Sequence, residues 1–130
     1  MVLDEKTYVE KAEKVIKKLA QNTNQKGKPI MVTTSKLRNI LSMSADIYNE
    51  VLGKSEKLPD EINSRIDYLR VRCVYEYGRD EKDRLIKSFM DESEILKALK
   101  EINGSRSRYI LFQRYMEALV AFHKFYGGQD

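Results

Sequence analysis

Apolar residues recur three and four positions apart through most of the chain, with polar and charged residues filling the places between them. That period belongs to the α-helix, where positions three and four apart share a face. The first run, Thr7 to Gln21, sets Tyr8, Ala12, Val15, Ile16 and Leu19 on one side. Asn22 to Lys28 is polar, with Gly27 and then Pro29, so residues 22–32 are expected to form a flexible loop. Thr34 or Ser35 can cap a second helix, which carries Leu37, Ile40, Leu41, Tyr48 and Val51 before Gly53 ends it. Pro59 suits the first turn of a third helix, expected to reach Tyr77 and stop at Gly78. The stretch from Asp80 to Asn103 is expected to break near Asp91, where new acids follow Phe89 and Met90. Gly104 closes it, Ser105 can cap the last helix, and Gly127 and Gly128 end that helix after Tyr126.

No segment alternates with a period of two, and Asn103-Gly104 lies between helical patterns, so it reads as a helix stop and not a hairpin. The fold class is therefore all-α: a compact bundle of five to six helices, one domain over residues 1–130. In the last helix Leu111, Phe112, Tyr115, Ala118, Leu119, Phe122, Phe125 and Tyr126 cover more of the girth than an amphipathic surface helix needs. Such a helix is either the centre of the bundle or is covered by a neighbouring subunit.

Composition narrows the chemistry. A single cysteine, Cys73, rules out an internal disulfide and a multi-cysteine zinc site, and a single histidine, His123, rules out histidine-cluster metal chemistry. Cys73 falls on an apolar helix face and reads as a buried structural thiol; His123 has no carboxylate partner in sequence and reads as a partly buried structural residue. Gly-rich phosphate loops, paired metal carboxylates and a nucleophile elbow are absent from the sequence, so neither an enzyme nor a cofactor is expected. The sequence has neither an apolar run of about 18 residues nor a basic-then-apolar amino terminus, which makes a cytoplasmic, membrane-free setting the expectation.

The net charge of +4 matters less than its placement. Acids gather at expected helix starts (Asp60 and Glu61; Asp80, Glu81 and Asp83; Asp91, Glu92 and Glu94), where they favour the positive end of the helix dipole. Several arginines lack such a reason. On the third helix Arg65, Tyr68, Arg72, Tyr75 and Arg79 follow steps of three and four, which gathers them beside the apolar face of Ile62, Ile66, Leu69, Cys73 and Tyr77. The row spans roughly 20 Å. Forked guanidinium groups with phenol rings between them suit a phosphate backbone. The same row also fits a plain reading, with Tyr68 and Tyr75 edging the core and the arginines paired to Asp67, Glu76 or Asp83. Lys36 and Arg38 at the start of the second helix, and Arg106 and Arg108 at the start of the last, add charge where helix N–H groups face outward.

Three motifs give a more specific pointer. These are Thr33-Thr34-Ser35-Lys36-Leu37-Arg38-Asn39-Ile40-Leu41; Tyr68-Leu69-Arg70-Val71-Arg72 with Val74-Tyr75-Glu76 and Gly78-Arg79-Asp80; and Arg114-Tyr115-Met116-Glu117-Ala118-Leu119-Val120-Ala121 running into Phe122-His123-Lys124-Phe125-Tyr126-Gly127-Gly128. In this order, from about Thr33 to the carboxyl end, the chain resembles the small subunit of the type III-A CRISPR RNA-guided interference complex (the Csm complex). The resemblance implies a non-catalytic helical protein that stacks in several copies as a minor filament and lines the channel of the guide–target RNA duplex. It further implies contact with the backbone and large subunits, with target cleavage belonging to the backbone subunits. Arg70, Arg72 and Arg79 lie within the motifs, whereas Arg65 and the tyrosine spacing come from the helical plot. The residues expected to touch RNA are Lys36, Arg38, Arg65, Arg70, Arg72, Arg79, Arg106 and Arg108. A pure protein–protein filament module without direct RNA contact is the alternative.

Overall fold

The computed structural model describes residues 1–80 and 84–130. Glu81 and Asp83, two of the expected helix-start acids, lie outside the described residues. Six helices follow one another: α1 (Tyr8–Leu19), α2 (Thr34–Val51), α3 (Asp60–Arg79), α4 (Leu85–Ser93), α5 (Ile95–Ile102) and α6 (Arg106–Phe125). The described residues hold no strand, only isolated bridges between Thr23 and Pro29 and between Lys57 and Ser105.

The last helix is the centre of the bundle. α6 packs against α1, α2 and α5, and buries Tyr109, Phe112, Tyr115, Met116 and Leu119 completely. Two of these carry hydroxyls that would be costly to bury alone, and each finds a carbonyl. Tyr109 donates to Ser44 O at 2.7 Å, and Tyr115 donates to Ser93 O at 2.9 Å. The third helix is peripheral: α3 packs on α2, α4 and α5, and its buried side is Ile62, Ile66, Leu69 and Cys73. Burial pushes the Cys73 thiol up to about 12, with Glu76 adding to the shift, so it is an inert core group.

Several boundaries differ from the sequence expectation, each for a tertiary reason. The cap of α2 is Thr33, whose hydroxyl accepts from the Lys36 N–H at 3.3 Å. Thr34 is buried, and its N–H donates to Gln129 O at 2.8 Å. α3 runs through Gly78 to Arg79 and stops at Asp80, whose carboxylate accepts from the Lys87 N–H at 3.0 Å. The break in the fourth stretch falls at Glu94 (φ 58°), three residues past Asp91. Of the acids there only Glu94 stands at a helix start, as the residue before α5, and its side chain caps no N–H. Glu92 and Glu94 pair with Lys18 and Lys11 of α1 at 3.0 and 2.7 Å, and Asp91 accepts from the Tyr77 hydroxyl at 3.0 Å. Residues 22–32 have hydrogen bonds of their own: Asn24 N–H donates to Lys28 O at 2.8 Å, and Ile30 N–H to Asn22 O at 2.6 Å.

The carboxyl end is tied back across His123. This imidazole is fully buried, and its Nε2 lies 2.6 Å from Val32 O. A carbonyl can only accept, so Nε2 bears a proton. Gly128 N–H donates to His123 O at 2.8 Å, and Gly128 lies flat against the ring. Burial lowers the affinity of His123 for a second proton, more than the Val32 bond raises it.

Candidate nucleic-acid interface

Because α3 packs on one side only, the rest of its circumference faces solvent. Tyr68 and Tyr75 are 61% and 55% exposed, and therefore do not edge the core. With them on the outer face stand Arg65, Arg72 and Arg79, all exposed and following one edge of the helix. Val71 and Val74, 58% and 49% exposed, continue the face on the other side of the tyrosines. The outer surface of α3 is thus an arginine edge beside a mixed tyrosine–valine strip.

The arginines differ in how far they are already engaged. Arg79 lies 3.2 Å from Glu76, and its guanidinium stands 5.7 Å from the Tyr75 ring centre. Arg65 pairs with Glu50 of α2. The Arg65 pair is exposed on both sides and the Arg79 pair on the arginine side, so both contribute little to stability and can be exchanged for a stronger anion. Arg72 takes part in none of the ion pairs among the described residues. The plain reading therefore holds for Arg79 with Glu76 and fails for the tyrosines.

Arg70 projects elsewhere, into a cleft of about 440 Å³ between α3 and the end of α5. Lys57 and Lys100 line the same cleft, as do Asp60 and Asp67. Neither lysine was singled out from sequence, since they lie 13 residues before and 30 after Arg70. Only the docking of α5 onto α3 brings them together. Lys36 and Arg38 are exposed near the start of α2, on a different helix from the arginine row.

Arg106 and Arg108 do internal work. Arg106 donates from Nε to Val51 O at 3.2 Å and from a terminal nitrogen to Leu52 O at 3.1 Å, which satisfies carbonyls at the end of α2. Arg108 donates to Glu101 O at 3.2 Å near the end of α5. The amino terminus of α6 is itself occupied by a carboxylate. Glu56 accepts from the Ser105 hydroxyl, from Ser107 N–H at 3.0 Å and from the Ser107 hydroxyl at 2.9 Å. The Ser105 hydroxyl, then that of Ser107, hold its pKa below the ordinary value against a smaller opposing effect of burial. A phosphate at that helix end would have to displace Glu56.

No cluster of three or more His, Cys, Asp and Glu suited to a metal occurs among the described residues, and none of their helices is long and apolar enough to cross a membrane. The sequence pattern of the Csm2 Type III-A family matches residues 9–129. The chain belongs to that family. A relative from Streptococcus thermophilus, "CRISPR system Cms protein Csm2", is 40% identical over 129 residues, covering 99% of this chain and 98% of the relative. A protein of the same name from Mycobacterium tuberculosis is 36% identical over 124 residues, covering 95% and 94%. A third, from Enterococcus italicus, is 28% identical over 127 residues. Membership in the Csm2 family makes the chain a subunit of the type III-A CRISPR complex.

Proposed function

We propose that this Csm2-family chain is the non-catalytic small subunit of the type III-A complex. It stacks in several copies beside the backbone and large subunits, and uses the outer face of α3 to hold the guide–target RNA duplex. The observation that carries the reading is the exposed row of Arg65, Arg72 and Arg79 with Tyr68 and Tyr75 between them, on a helix that the bundle covers on one side only. Guanidinium groups about 10 Å apart can each take a phosphate of a polyanion and carry no base information. Sequence specificity is left to guide pairing. Arg70, Lys57 and Lys100 offer further cations in the cleft toward α5, beside Asp60 and Asp67, and Lys36 and Arg38 are exposed cations on α2. Arg106 and Arg108, already bonded to carbonyls, are left out of the contact set.

Val71 and Val74 favour a second reading, in which the same face seats a protein neighbour. Salt separates the two. With three phosphates neutralised, log affinity for single-stranded RNA is expected to fall with log salt at a slope of about −2, and somewhat more steeply for a duplex. One copy binds weakly, and stacked copies sharing a strand bind far more tightly through effective concentration. A titration of RNA with the purified chain and with the assembled complex between about 50 and 200 mM salt reads the slope. A flat response in both would favour the protein neighbour.

A further inference from the structure

We propose that the cleft between α2 and α3, beside the arginine row, receives one unpaired nucleobase of the bound RNA strand; this rests on the reading of α3 given above. The cleft measures about 360 Å³ and is formed by one turn of each helix. That volume falls within the range of small-ligand pockets, roughly 300–1,000 Å³. Met43 and Ile47 of α2 and Leu69 of α3 give it apolar walls, while Tyr68 and Arg65 stand at the α3 side and Asp46 at the α2 side.

Each part of a nucleotide finds its counterpart there. A base needs a flat apolar partner. Tyr68 supplies one, since its ring is mostly exposed and belongs to none of the aromatic pairs among the described residues. Met43 adds a polarisable sulfur that packs well on aromatic faces. The base edge needs a polar partner. Asp46 is exposed and enters none of the ion pairs among the described residues, which leaves its carboxylate free to accept from an exocyclic amine. The phosphate needs a cation, and Arg65 stands on the same rim, with Arg72 two turns further along the helix. An apolar protein side chain would fill the walls yet offer nothing to the Asp46 carboxylate and no anion for which Arg65 could exchange Glu50. A nucleotide meets both.

The test uses the full chain, with two RNA probes: a single strand carrying one 2-aminopurine, and a fully paired duplex. Tyr68→Ala removes the stacking partner, and Ser64→Leu fills the cleft from an exposed position that leaves the core alone. Binding of the wild-type chain is expected to quench 2-aminopurine fluorescence several-fold. Both variants should abolish the quench, and Tyr68→Ala should weaken single-strand binding about tenfold. Duplex affinity should stay unchanged in Ser64→Leu, since Ser64 is not part of the arginine–tyrosine row. A quench that persists in both variants, or none in the wild type, overturns the proposal. So does unchanged RNA binding with loss of assembly into the complex, which would make the cleft a seat for a protein side chain. Arg72→Glu separates this failure from that of the broader reading. If the cleft variants do nothing while Arg72→Glu weakens both probes, the arginine row stands and only the pocket falls; if Arg72→Glu also does nothing, the row falls too.

Discussion

Replacing Arg65 by glutamine and Arg72 and Arg79 by glutamate in one chain is expected to lower RNA affinity by at least about 1,000-fold at low salt and to bring the salt slope close to zero. The reasoning is direct. Hydrogen bonds to a charged group are each worth about 1.5–3 kcal/mol, so losing three outweighs any single change elsewhere on the surface. The fold should survive, because the two ion pairs removed, Arg65 with Glu50 and Arg79 with Glu76, both have exposed arginines and count for about 1 kcal/mol each. Arg106→Ala makes a useful contrast. It strips donors from Val51 O and Leu52 O, and should cost roughly 1–2 kcal/mol of stability while leaving RNA affinity unchanged. Binding titrations alongside urea unfolding read both effects. A folded triple variant with wild-type affinity and slope would remove α3 from the interface.

The second large effect is expected at Gly128, where any side chain meets the His123 ring. A Cβ there would overlap an imidazole that is itself enclosed, so the tail must lift. Lifting breaks the bond from Gly128 N–H to His123 O and the bond from Thr34 N–H to Gln129 O, and it opens the buried ring to water. Gly128→Ala should therefore lower unfolding stability by about 2 kcal/mol. A pH signature accompanies it. His123 in the folded chain holds its second proton less well than in the unfolded chain, where the pKa is near 6.5. Below that value the unfolded state binds a proton that the folded state refuses. Wild-type stability from this group is thus complete above about pH 6.5 and falls as pH drops toward the folded pKa. In Gly128→Ala the ring is hydrated and the pH dependence should flatten. Urea midpoints at several pH values test this, and identical curves for the two chains would show that the tail does not enclose His123.

What could be read from sequence was what local chemistry decides. The three-and-four spacing of apolar residues gave a bundle of five to six helices, and the apolar girth of α6 narrowed its place to the centre or a subunit contact; Tyr109, Phe112 and Tyr115 put it at the centre. Ser105 was recognisable as a cap, and its hydroxyl does accept from Arg108 N–H at 3.2 Å. The rest depended on distant segments. Thr33, Thr34 and Ser35 are equivalent as capping residues, and the contact of Thr34 with Gln129, 95 residues away, separates them. The roles of Arg106 and Arg108 are set by carbonyls of α2 and α5 that no local spacing reveals. Glu92 and Glu94 looked like helix-start acids because the lysines they meet lie on α1, more than 70 residues earlier. The arginine row itself was legible, since one helix carries it and helical spacing alone sets its geometry. The cation cleft of Lys57, Arg70 and Lys100 was not, because two helices build it.

The claim on which the account turns is that the outward side of α3 lies against RNA in the assembled complex. A photoreactive phenylalanine analogue placed at Tyr75, with a second at the exposed Glu117 of α6 as comparison, measures this once guide and target are bound. The account predicts irradiation products joining position 75 to RNA and none from position 117. Products joining position 75 only to protein, with RNA captured from position 117 instead, would contradict it.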